Sequence, residues 1–131
     1  MMKSVFNPEI VPKPMGPYSQ GVVTTGGKLV FISGQVSQDA SGNLVGKDDL
    51  EAQTKQVFTN LKNMVETAGG TVANIAKITI FMVKVTPQAY EILGRVRREL
   101  WSGDFPASTL VEINRLASPD FLIEVEAFAV I

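Results

Sequence analysis

The chain contains neither histidine nor cysteine, which excludes a Ser-His-Asp triad, a thiolate nucleophile, a disulfide and an ordinary zinc site. Chemistry has to come from carboxylates, hydroxyls, amines, guanidiniums or backbone groups. The best-placed carboxylate is Glu124, within Ile123-Glu124-Val125-Glu126-Ala127. Held on a partly apolar strand face, such a group loses solvation and can act as an acid or base near neutral pH. The competing reading is an interface glutamate paired with Arg115 or with a neighbour's lysine. Tyr18, in Gly16-Pro17-Tyr18-Ser19-Gln20, sits in a stiff turn that would hold its ring as a pocket wall and its hydroxyl as a donor, or would simply pack. Ser33 and Gly34 interrupt the apolar run Leu29 to Val36, and a glycine inside a strand marks a bulge or a close backbone approach. Arg95, Arg97 and Arg98 read, with Glu91 and Glu99, as a solvated helix face. Asp39, Gly42 and Asn43 have neither the spacing of a calcium loop nor the glycine run of a phosphate cradle. No cofactor and no metal are expected.

The elements that must carry these groups follow from periodicity. Val22 to Thr25, the pair Gly26-Gly27 and Lys28 to Val36 read as a β-hairpin, because two glycines accept the positive φ values of a type I′ turn. A polar loop runs from Ser37 to Lys47. From Asp49, apolar residues Leu50, Val57, Leu61, Met64, Val65 and Ala68 recur at helical spacing, capped by Asp48 or Asp49 and ended by Gly69-Gly70. Ala76 to Val85 reads as a central strand, and Thr86-Pro87 opens a second helix reaching about Trp101. Strands are expected at Ser108 to Arg115 and at Phe121 to Ile131. This order defines an α+β chain with too few helices to cover both faces of a sheet, and a single domain spanning residues 1–131.

Side-chain alternation sharpens the expectation. In the last strand Ile123, Val125, Ala127 and Ala129 share the face suited to helices, while Leu122, Glu124, Glu126, Phe128 and Val130 share the other. In the strand before it, Ser108, Leu110 and Glu112 are expected to join Glu124 on that second face. Nothing in the chain covers it, so self-association is expected to do so.

Four stretches, Gly16-Pro17-Tyr18-Ser19-Gln20, Ile32-Ser33-Gly34-Gln35, Phe105-Pro106-Ala107-Ser108-Thr109-Leu110-Val111-Glu112 and Ile123-Glu124-Val125-Glu126-Ala127, resemble in order and spacing the signature of the RidA/YjgF family of enamine and imine deaminases. The resemblance extends from about Asn7 to Val130. It implies a chorismate-mutase-like, six-stranded mixed sheet with two helices on one face, assembled as a homotrimer with a cleft between each pair of neighbours. It also implies that Glu124 positions an attacking water and that Tyr18, Ser33, Gly34, Ser108 and Leu110 shape the substrate site. The implied ligand is a small imine, enamine or keto-acid-like molecule. The chain departs from the pattern at Ser108, where those deaminases carry an arginine that grips an imino acid's carboxylate bidentately. Losing charge-assisted bonds of about 1.5–3 kcal/mol weakens such binding about ten- to a hundredfold. The asparagine that many relatives carry in the second helix aligns with Gly94, a second departure.

Three functions compete: hydrolytic deamination of a reactive imine or enamine, metabolite binding without turnover, and the endoribonuclease activity often attached to the family. A net charge of -1 and the missing histidine weigh against a nucleic-acid partner. No apolar run approaches the roughly 20 residues of a membrane span, and the N-terminal residues lack a signal-peptide core, so a cytoplasmic location is expected.

Overall fold

The computed structural model describes residues 2–131. Its strands are β1 (Met2–Phe6), β2 (Gly21–Thr25), β3 (Leu29–Gln35), β4 (Ile75–Met82), β5 (Ala107–Glu112) and β6 (Ile123–Val130), with helices α1 (Leu50–Thr67) and α2 (Pro87–Leu100). The fold is α+β, with both helices against one face of a mixed sheet.

Local chemistry sets both helices. Asp49 caps α1 by accepting from the Ala52 amide, and the other end closes with Gly69 N–H to Glu66 O and Gly70 N–H to Val65 O, both 3.0 Å, a Schellman arrangement that satisfies orphan carbonyls. Thr86 caps α2 by accepting from Ala89, and Pro87 fills the first position, where an amide hydrogen would have no partner. The helices bury Val57, Phe58, Leu61 and Val65 from α1 and Ala89, Leu93 and Val96 from α2 against Ile78, Ile80, Met82, Ile123, Val125 and Ala127 of the sheet. Each such side chain contributes about 1.5–3 kcal/mol through removal from water. Met64, placed on the apolar stripe by its spacing, is exposed instead.

Buried Gln53 ties α1 to the entry of β6. Its amide donates to Gly46 O and Asp120 O, and its Oε1 accepts from Leu122 N–H, all within 3.0 Å. Trp101 closes α2 by stacking edge-on to Phe58 and donating its indole N–H to Val72 O at 2.9 Å.

The strands hydrogen-bond as two groups, a four-stranded sheet in the order β3-β6-β4-β5 and a ribbon of β1 with β2. β4 and β5 are parallel, joined by α2 as a crossover, and the other pairs are antiparallel. The hairpin expected between β2 and β3 is therefore corrected. Both strands form where the sequence puts them, but β2 pairs with β1, a strand not foreseen from the sequence, and lies against β4. The ribbon is anchored at the β5 side. Ser19 bridges Ala107 and donates its hydroxyl to Phe105 O at 2.6 Å, while the Lys3 ammonium donates to Ala73 O, Ile75 O and Asp104 O. Leu29 and Phe31 on β3 are left 59% and 69% exposed. No described helix is long and apolar enough to cross a membrane.

Candidate functional site

Register decides which side chains share a face. Ser108 pairs with Ile78, Leu110 with Ile80 and Glu112 with Met82, and those three β4 residues are buried beneath the helices. Ser108, Leu110 and Glu112 thus lie on the helix-facing side, and the expectation that they join Glu124 is overturned. Alternation within one strand cannot fix its phase relative to the next, and the parallel register to β4 sets it opposite to that assumed. Glu112 is occupied structurally, accepting from Val85 N–H at 2.8 Å. Glu124 pairs with Phe81, and Glu126 with Thr79, on the opposite face.

The predicted site residues therefore form two groups. In the first, the loop before β2 brings Tyr18 beside Ser108 and Leu110 in a cleft of about 500 Å³, closed from the other side by Gly94, Arg97 and Arg98 of α2. Ser19 makes this possible, since its bonds to Phe105 and Pro106 lay the loop along β5. The Tyr18 hydroxyl accepts from Met15 N–H at 3.2 Å. In the second group, Ser33 and Gly34 form a β-bulge in β3 opposite β6, and the Glu124 carboxylate lies in the space a side chain at Gly34 would fill. Glu124 does not line the first cleft.

Arg97 is the residue that sequence reasoning misplaced. It is only 5% exposed, its Nε donates to Leu93 O at 3.4 Å, and its Nη1 reaches the Ser108 hydroxyl at 3.5 Å. Among the described residues no carboxylate pairs with it; the ion pairs found are Lys55–Glu51, Lys62–Glu66 and Arg95–Glu51. Burial, then the charge of neighbouring Arg98, push the Arg97 guanidinium down to about 10, with Tyr18 and Tyr90 acting weakly the other way. It remains cationic at neutral pH. Its position was signalled by spacing, four residues after Leu93 and one after Val96 on the buried stripe of α2. Arg95, by contrast, is the surface residue expected, and it pairs with Glu51 of α1 at 2.7 Å. The cleft thus offers two guanidiniums, the hydroxyls of Tyr18, Tyr90 and Ser108, and one carboxylate, Glu91, so its cations outnumber its anions and suit a small anionic ligand.

The fold and the motifs meet in the comparisons. The family model described as Endoribonuclease L-PSP matches residues 9–131. A RutC family protein of Pyrococcus abyssi is 36% identical over 129 residues, covering 98% of each chain. Among solved structures, the Rid family protein YyfB of Yersinia pestis, of unknown function, superposes with a TM-score of 0.92 at 34% identity over 100% of both chains. E. coli TdcF with bound serine gives 0.70 at 28% identity, over 97% of this chain and 98% of its own. The chain belongs to the RidA/YjgF family.

Proposed function

We propose that the protein is a RidA-like hydrolytic deaminase acting on small imines or enamines that carry a carboxylate. The observation that carries this reading is the buried Arg97 guanidinium, unpaired with any carboxylate among the described residues and aimed at Ser108 in the cleft. A buried cation without a counter-ion is costly, and a substrate carboxylate would offset that cost. Arg97, entering from α2, takes the part that an arginine at position 108 plays in the deaminases this chain resembles. TdcF, which holds serine, is a relative whose ligand also bears a carboxylate.

In this reading water adds to the electrophilic C=N carbon, a carbinolamine forms, and its collapse releases ammonia and leaves a keto acid. The chemistry needs one oriented water and a dry pocket. Glu124 orients that water. Since it does not line the cleft of its own chain, it is supplied from a neighbouring copy in a homotrimer, with sites at the seams.

The test generates 2-aminoacrylate in situ and measures ammonia release above the uncatalysed rate. Glu124→Gln is expected to abolish the acceleration in a protein that stays folded and associated, and Arg97→Met to raise KM more than it lowers kcat. The separation of Glu124 from the cleft favours a second reading, metabolite binding without turnover. Carboxylate-induced thermal stabilisation with no ammonia release would select it.

A further inference from the structure

Among the described residues, β2 and β3 each leave one edge open, and these two edges adjoin in sequence. β2 is hydrogen-bonded to β1 alone and β3 to β6 alone. Only Gly26, Gly27 and Lys28 separate them, and Lys28 already pairs with Ile131 through bonds of 2.6 and 2.9 Å. Gly26 and Gly27 have φ of 68° and 79°, the left-handed values a two-residue type I′ turn needs at both positions. The chain therefore has the turn chemistry of a hairpin whose strands do not pair with each other.

The ribbon is instead held at the far side of the sheet by Ser19 on β5 and by Lys3 at the start of β4. This placement is not peculiar to the chain. Met2–Thr25 is about a fifth of its length, and a superposition of 0.92 over the whole Yersinia protein leaves no room for a ribbon lying elsewhere. TdcF, at similar coverage, superposes at only 0.70. Meanwhile the β3 edge carries Leu29 and Phe31 in the open, with Phe31 stacked edge-on to Phe128 at 5.4 Å. An uncovered edge of this kind is a template for another strand.

We propose that the ribbon is exchanged between copies of this chain. The free edge of β2 in one copy pairs, antiparallel and in the register a Gly26-Gly27 turn would impose, with the free edge of β3 in the next, so each six-stranded sheet is built from two chains. The edge given and the edge taken are different patches, which makes the contact heterologous, and a closed ring of copies pairs every β2 edge with a β3 edge. This assignment goes beyond the deaminase reading and does not rest on it.

The natural absence of cysteine permits a direct test. In the hairpin register Thr24 faces Leu29 at a non-hydrogen-bonded pair, where Cα atoms are about 4.5 Å apart and a disulfide can close. In the Thr24→Cys/Leu29→Cys double variant, mild oxidation is expected to convert the bulk of the protein to covalent oligomers on non-reducing gels, all returning to monomer on reduction. An internally bridged monomer, or free thiols in folded protein, would overturn the exchange. Should the double variant misfold, co-refolding the two single variants is expected to yield a peptide joined between positions 24 and 29 of different chains. Its absence by mass spectrometry would equally overturn it.

Discussion

The guanidinium of Arg97 and the hydroxyl of Ser108 meet at 3.5 Å where α2 crosses β5, one arriving from the helix and the other from the strand. The cation that an arginine at position 108 would bring along the strand is present, delivered from the opposite wall of the cleft. This relationship governs how the site responds to substitution.

Arg97→Met keeps the length of the side chain and removes a buried charge that has no counter-ion among the described residues. The variant is expected to be more stable than the parent by about 1–3 kcal/mol in ligand-free buffer, measured as a raised urea midpoint at unchanged slope. It should at the same time lose the thermal stabilisation that small carboxylates give the parent protein. A variant less stable than the parent would show that the guanidinium is a structural element.

Ser108→Arg is the obvious restoring change, and its effect follows from what stands opposite. The new guanidinium would lie beside Arg97, and two like charges about 4 Å apart repel by on the order of 1–4 kcal/mol. The single variant is expected to unfold more readily and to gain no carboxylate affinity. Adding Arg97→Ser should recover stability and affinity together, and a double-mutant cycle over the four proteins measures the coupling. Additive effects would mean the two positions do not meet.

The pH dependence is set by a cation whose proton is held less tightly in the folded protein than in the unfolded chain. Below about 10 Arg97 is charged in both states and carries its full burial penalty. Above that value the unfolded chain binds more protons, so the penalty this group imposes on stability is progressively relieved as pH rises. Carboxylate binding has the opposite course. It is expected to be flat from pH 7 to 9 and to fall as pH passes about 10, read as the shrinking shift in Tm with ligand, and the Arg97→Met variant should show no such fall.

Gly34→Ala adds a methyl group into the space the Glu124 carboxylate occupies. The side chain has torsions with which to yield, so stability should change by less than about 1 kcal/mol. The carboxylate must move, and kcat for imine hydrolysis is expected to drop at least tenfold with KM little altered. Unchanged kcat would separate Glu124 from the chemistry.

Much of the frame was legible because its signals are local. Asp49 and Gly69-Gly70 bound α1, Thr86-Pro87 opens α2, and the apolar alternation of Ile123 to Ala129 marks β6 with its helix-facing side. What could not be read depends on partners distant in sequence. The face of Ser108 and Leu110 is set by register against Ile78 and Ile80, which alternation within β5 does not contain. β1, with the short sequence MKSVF, has too weak an apolar pattern to stand out, and its existence rests on pairing with β2. The pair Gly26-Gly27 specifies a turn without saying whose strand completes it. Arg97 was assigned to solvent because arginine usually is, although its spacing from Leu93 and Val96 placed it at the margin of the buried stripe.

Glu124 rests over Gly34, and Gly34 belongs to the strand whose outer edge stands open. In the Gly26-Gly27 register a docked β2 would run along that edge as far as Ile32 and stop at the margin of the bulge beneath the acid, so completing the sheet would stiffen the strand up to the point where the carboxylate rests. Dilution to separate chains would then leave that strand unsupported right up to the acid's seat, without altering a single covalent bond.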